Sequence, residues 1–321
     1  MKYKLKKISS DASFREFYRV YKNQKTSIVV YAKKERYKNL IVYSAVNKIL
    51  NENNIKAPKL INGFKHEKNI IEISDLGKNS FFEFIKKKKN KIKEYEKLID
   101  LIVKIQKIKL KKNYKYNKKI IIFNKYTDKN LQNESDLFFD WYLKSIIEKK
   151  KLQKFKIKMK KELKNIYNKL YFKNSCFTHR DFHTSNIMIK GTKLGLIDSQ
   201  DAILGNPLYD VASLIDDVRI KIPIRIQNAL FKYYVKQSNY NKIHIKNFKN
   251  DFDILSVQRN LKILGIFVRL FKRDKKPDYL KYLPYTWRLI ELRLKNPIFK
   301  NLKAIIKDNL SFAEIKRIKL I

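Results

Sequence analysis

The chain has 321 residues, 44% of them hydrophobic and spread along its whole length; that excludes disorder and leaves room for two lobes, since one core stops growing near about 250–300 residues. The formal charge is +45, yet 63 of the 75 basic residues are Lys, scattered through every segment; readers of phosphates and bases favour the bidentate Arg, so nucleic-acid binding is not the expected function. Cys176 is the only cysteine, which excludes an internal disulfide, and neither an apolar leader behind MKYKLKKISSDASF nor a run of 18 uncharged apolar residues occurs; a cytoplasmic monomer that does not enter membranes is expected.

In chain order, residues 1–33 read as strands: Val, Ile and Tyr recur around Phe14–Tyr21 and Ser27–Ala32, and Lys22-Asn23-Gln24-Lys25 supplies a hairpin turn. Helical spacing of Leu40, Ile41, Ala45, Val46, Ile49 and Leu50 predicts a helix over 38–54, which Pro58 bars from continuing. Short apolar runs at Lys59–Ile61 and Ile70–Ile73 flank a turn at Gly63. After Asp75-Leu76-Gly77 the pattern turns helical, over Phe81–Ile108 and Asp136–Ile147, with strands nearly absent until about residue 187. The Lys86–Lys89 run reads as a solvated helix face or turn. Ile187–Ile189, Gly191 and Leu194–Ile197 form one small hairpin in the helical half. The expected domains are 1–76 and 77–321.

The chemistry concentrates in Cys176-Phe177-Thr178-His179-Arg180-Asp181-Phe182-His183-Thr184-Ser185-Asn186, followed by Gly195-Leu196-Ile197-Asp198. Phosphoryl transfer needs an acceptor for a hydroxyl proton and oxygen ligands that hold Mg²⁺ on the phosphates of ATP. Asp181 is the candidate base, and Asn186 and Asp198 are the candidate metal ligands, brought together by a loop, a strand, a tight turn and a return strand. His-x-Asp-x4-Asn is expected by chance only about 0.02 times in a chain of this composition. No Lys or Arg occurs from Leu194 to Val218, where Asp198, Asp201, Asp210, Asp216 and Asp217 all fall; a cation-binding pocket explains this better than burial alone.

At these residues the chain resembles the aminoglycoside phosphotransferase and choline kinase superfamily. It departs from protein kinases: Ser199-Gln200 follows Asp198, and the first glycine is Gly63, so no Gly-rich phosphate loop exists. Within the superfamily, Asp11-Ala12-Ser13-Phe14-Arg15 with Arg19, Asp198-Ser199-Gln200-Asp201-Ala202 through Tyr209-Asp210, Gln258-Arg259-Asn260-Leu261-Lys262-Ile263-Leu264-Gly265-Ile266-Phe267 and Phe138-Phe139-Asp140-Trp141-Tyr142 are similar to bacterial anomeric N-acetylmuramate/N-acetylglucosamine kinases.

The resemblance implies an α+β, bilobal, protein-kinase-like fold, with a small antiparallel-sheet N-lobe carrying one helix and a larger helical C-lobe. It implies a kinase using ATP and Mg²⁺ on the C1 hydroxyl of an amino sugar in cell-wall sugar recycling. Nucleotide contacts are expected from Ser10, Asp11, Ser13, Arg15, Asp75 and Leu76. Candidate acceptor contacts are Asp140, Trp141, His183, Asp201 and Arg259, with core packing competing at Trp141 and a buried polar network at Gln258-Arg259-Asn260. No lysine is assigned to the phosphates: Lys33 and Lys34 lack an evident partner, because the helix over 38–54 offers only Glu52. The competing readings are a kinase for another small hydroxyl compound, such as an aminoglycoside, choline or other sugar, and a non-catalytic kinase-like module that binds RNA or protein.

Overall fold

The computed structural model describes residues 4–8, 15–22, 25–32, 38–65, 69–238, 240, 243–311 and 314–315. Two compact units emerge, one of Met1–Lys97, Lys104–Asn124 and Cys176–Leu204, the other of Leu98–Val103, Lys125–Ser175 and Gly205–Ile321.

The first unit is built on an antiparallel five-stranded sheet of β1 (Lys4–Ile8), β2 (Glu16–Lys22), β3 (Lys25–Tyr31), β4 (Leu60–Lys65) and β5 (Ile70–Ser74), in the order β1-β2-β3-β5-β4. Val30, Ile28, Ile71 and Ile73 alternate toward one face, where they pack with Leu40 and Tyr43 of helix α1 (Lys38–Glu52); a sheet covered on one side needs that period of two. The helix ends two residues earlier than the spacing predicted, because Asn54 takes a left-handed turn (φ 56°).

The predicted helix over 81–108 is two helices, α2 (Phe81–Lys86) and α3 (Ile92–Gln106). Four successive lysines repel along a helix, and Asn90 Oδ1 accepts from Ile92 N (3.3 Å) where the chain restarts. The expectation of almost no strands before residue 187 fails as well. Strands β6 (Asn113–Tyr116) and β7 (Lys119–Ile122) form a hairpin whose turn residues, Asn117 and Lys118, both have positive φ, the geometry that matches strand twist. In β7 the exposed positions hold Ile120 and Ile122 beside the buried Ile121, so no apolar-polar alternation marks the strand. A further strand, β8 (Cys176–Thr178), leads into the motif loop, which passes to β9 (Ile187–Lys190), β10 (Lys193–Leu196) and β11 (Ile203–Gly205), the partner of β8.

In the second unit, α4 (Asp128–Leu137) begins earlier than the predicted helix over 136–147 and continues as one π turn, Phe138–Tyr142, and a 3-10 turn, Leu143–Ser145. The wider turn seats a ring cluster in which Phe138 stacks on Tyr142 (5.2 Å between centroids) with Trp287 at its edge. Helices α5 (Lys149–Tyr167), α6 (Leu208–Ile215), α7 (Ile224–Gln237), α8 (Ile245–Asp274), α9 (Leu283–Arg293) and α10 (Lys300–Asn309) complete the unit. The buried helix α8 approaches α4 at Gly265, where a Cβ would lie 2.2 Å from the carbonyl oxygen of Leu137. Gly265→Ala is therefore expected to cost at least about 2 kcal/mol, read as a lower thermal midpoint, because neither backbone can yield cheaply. No helix among the described residues is long and apolar enough to cross a membrane.

Candidate active site

The motif loop and the β9–β10 hairpin lie in the first unit. The main chain shapes the loop: Asp181 O accepts from His183 N (3.0 Å) and from Asn186 Nδ2 (3.0 Å), and Asn186 O accepts from Ile197 N (3.0 Å). His183 Nε2 lies 3.3 Å from the same Asn186 amide nitrogen. With its nitrogen committed to these partners, the Asn186 amide has its Oδ1 as the atom that could act as a ligand. His179 Nε2 lies 3.1 Å from Ile197 O, consistent with a packed structural histidine.

Asp198, two residues beyond β10, has φ 63°, a left-handed conformation in a residue other than glycine. Such backbone costs of order 1 kcal/mol and survives where surrounding bonds fix it. Arg15, buried at 4% exposure, supplies two of them: its guanidinium lies 3.7 Å from Asp198 Oδ1 and donates to Gln200 Oε1 (3.1 Å). The guanidinium also sits over the ring of Tyr43 on α1, 5.8 Å from its centroid. Burial and the negative charge of Asp181 push the Asp198 carboxyl up to about 6, against the attraction of Arg15. Burial likewise pushes the Tyr43 hydroxyl up to about 12. Asp201 accepts from Gln200 Nε2 (3.2 Å) and lies 4.0 Å from Arg180.

These donors suit Mg²⁺. Asp198 feels the negative charge of Asp181 and lies 3.7 Å from the Arg15 guanidinium, and Asn186 supplies an amide oxygen in the same loop. Mg²⁺ commonly takes one or two protein oxygens and fills its octahedron with water and phosphate oxygens, so it does not need the larger carboxylate and histidine cluster that is absent among the described residues.

Other expected contacts are placed differently. The Asp75 carboxylate is engaged at the end of β5, where Arg19 Nε and Nη2 donate to it at 2.6 and 3.2 Å and Gly77 N at 2.8 Å. Burial opposes its charge, but the Arg19 and Gly77 bonds hold its carboxyl below the usual range. Its carboxylate is thus a brace, not an open nucleotide contact. Leu76 is buried and would meet a Cβ at Gly195 at 2.8 Å. Arg19→Met is expected to cost about 3 kcal/mol in urea denaturation, since it strands a buried carboxylate. Because Asp75 is depressed when folded, the pair's stabilisation is present above the ordinary aspartate value and is lost as pH falls below it.

Asp140 lies in the π turn of the second unit, half exposed and bonded to Lys156 (2.7 Å); Trp141 beside it is partly buried. Arg259 is buried, while its neighbour Gln258 donates to Leu131 O (3.3 Å) and Asn260 to Ser256 Oγ (3.2 Å), so the polar trio belongs in part to a buried network. The acidic window does not act as one pocket. Asp216 is held by Arg293 (2.6 and 2.8 Å), Asp217 by Arg219 N (3.1 Å), and both are buried in the second unit. Exclusion of lysine there reflects burial, and only Asp198 and Asp201 stand in the same unit as Asp181. Ser10, Asp11, Ser13, Lys33 and Lys34 lie outside the described residues. The residues that sequence reasoning missed are Tyr43, Asn47 and Ser199; the available signal was a pair of polar-bearing side chains one turn apart among the apolar positions that mark the buried face of α1.

The profile described as the phosphotransferase enzyme family matches residues 4–244. The N-acetylmuramate/N-acetylglucosamine kinase of Pseudomonas aeruginosa is 27% identical over 292 residues, 88% of this chain and 81% of the relative. Among solved structures, a choline/ethanolamine kinase family protein from Mesorhizobium loti superposes with a TM-score of 0.62 at 10% identity, over 95% of this chain and 92% of the other. Spectinomycin phosphotransferase in complex with ADP and spectinomycin gives 0.57 at 14%, over 95% and 93%. The expected α+β, kinase-like fold is the observed one, and the chain belongs to the phosphotransferase enzyme family.

Proposed function

We propose that the protein is an ATP-dependent amino-sugar kinase that phosphorylates the anomeric C1 hydroxyl of N-acetylmuramate or N-acetylglucosamine. The observation that carries the proposal is the clustering of Asp181, Asn186 and Asp198, in which one carboxylate feels the charge of the other and the amide nitrogen is bonded within the loop. The acceptor assignment is supported by relatives with that printed name at 23–27% identity.

In this reading Asp181 accepts the acceptor's hydroxyl proton. An anomeric hydroxyl is more acidic than an ordinary alcohol, which lightens that task. Mg²⁺, held by Asn186 and Asp198, would neutralise charge on the phosphates. Arg15 would orient them through its guanidinium fork, together with Ser10, Asp11 and Ser13; nucleotide binding is assigned to 1–76 and catalysis with acceptor binding to 77–321. His183, Asp201, Asp140, Trp141 and Arg259 are the proposed acceptor contacts. Positioning and charge neutralisation dominate such a transfer, since its transition state is loose.

The test is mass-spectrometric detection of a phosphorylated product after incubation with ATP, Mg²⁺ and a panel of N-acetylmuramate, N-acetylglucosamine, aminoglycosides and choline. Product from either amino sugar is expected. Turnover confined to another compound would reassign the acceptor, and RNA binding with steep salt dependence but no ATP consumption would make this a non-catalytic module.

A further inference from the structure

We propose that Asn47 of α1 is a positioning residue for the metal-binding turn at Asp198, gripping it through a buried hydrogen bond to Ser199; this rests on the reading of Asp198 as a metal ligand. Protein kinases tie the corresponding helix to the phosphates with a helix carboxylate and a strand lysine. Helix α1 offers no such carboxylate: Glu52 stands at its end, half exposed, 3.7 Å from Lys48. What α1 turns inward instead is Tyr43 and Asn47, one turn apart and 3% and 2% exposed.

Both reach the segment that follows β10. Tyr43 lies beneath the Arg15 guanidinium, which holds Asp198 and Gln200, while Asn47 Oδ1 accepts a hydrogen bond from Ser199 Oγ at 2.6 Å. Three successive residues are thus anchored to one helix, two through Arg15 and the middle one directly. The need is local. Asp198 holds a left-handed backbone without being glycine, and Ser199, fully buried beside it, is the residue whose fixation keeps that turn from relaxing.

Stability alone does not explain an asparagine here. An apolar side chain of similar shape would fill the same space, and replacing Asn47 and Ser199 together leaves neither member of the pair without the other. What the asparagine adds is the bond through its Oδ1, which holds the Asp198 turn in the geometry its ligand needs.

The test uses the full chain and a fluorescent ATP analogue, with its Kd measured in EDTA and in saturating Mg²⁺, and the thermal midpoint recorded without nucleotide. Asn47→Leu and Ser199→Ala are each expected to shrink the Mg²⁺-dependent tightening about tenfold. The Kd in EDTA should stay within about twofold of wild type, and Ser199→Thr, which keeps the hydroxyl, should restore the tightening. The Asn47→Leu midpoint is expected to fall modestly, since the buried Ser199 hydroxyl loses its acceptor, and the double variant Asn47→Leu with Ser199→Ala is expected to recover it. If wild type tightens with Mg²⁺ and both variants do so equally, the positioning role is overturned while the metal assignment stands. A fall in midpoint that accompanies weaker binding both with and without Mg²⁺ would also overturn it, since that is the mark of a merely structural residue. Wild type that binds the analogue no better with Mg²⁺ overturns this role and the metal assignment together.

Discussion

Asp181→Asn is expected to lower turnover by at least about 100-fold while leaving nucleotide affinity within about threefold of wild type. A positioned base contributes on the order of 10²–10⁴ to such reactions, and the amide cannot take the proton. The substitution is clean because the loop turn is held by the main-chain oxygen of Asp181, which accepts from His183 N and Asn186 Nδ2 and is unchanged in the variant. Single-turnover kinetics with the analogue-binding control separate loss of the base from loss of the site. A variant that keeps a tenth or more of wild-type turnover would remove Asp181 from the reaction.

Asp198→Asn is expected to lower turnover about 10³-fold, within the range seen when one fixed electrostatic partner of the transition state is removed, and to abolish Mg²⁺-dependent nucleotide binding. Its effect on folding has the opposite sign. The carboxyl titrates near 6 in the folded protein, above the ordinary aspartate value of 3.8. Between these values the native state therefore binds more protons than the unfolded chain, and this group's contribution to stability falls as pH rises through that window. Above pH 6 the loss is complete. At pH 7.5 the neutral amide should raise the thermal midpoint of the nucleotide-free protein, and the gain should disappear near pH 4. Asparagine also tolerates the left-handed backbone at this position, so the turn itself survives. For wild type, Mg²⁺-dependent nucleotide binding should weaken as pH falls through 6, when Asp198 takes up its proton. A midpoint that drops at pH 7.5 would mean that the attraction of Arg15 outweighs burial and the charge of Asp181.

What was legible in the sequence follows from the range of each signal. The strands of the first sheet, helix α1 and the β9–β10 hairpin were readable because alternation and helical spacing are written within a few residues. The Asp181, Asn186 and Asp198 set was readable for the same reason: a loop, a hairpin and their ligands fit inside 18 consecutive residues. The β6–β7 hairpin was obscured because isoleucine occupies both faces of β7, and the break after Lys86 because lysine fills exposed positions of helix and turn alike in this chain.

Sequence alone thus determined the class of fold and singled out the motif loop for the proposed chemistry, since both depend on residue types at short, fixed spacing. Tertiary structure decided which charges work together. It assigned Asp75 to Arg19, Asp216 to Arg293, and Arg15 to Asp198, and it set Asn47 against Ser199 across 152 residues of chain. The physical reason is that buried charged and polar groups must be partnered wherever the fold brings a partner, and no local pattern in the sequence records who that partner is.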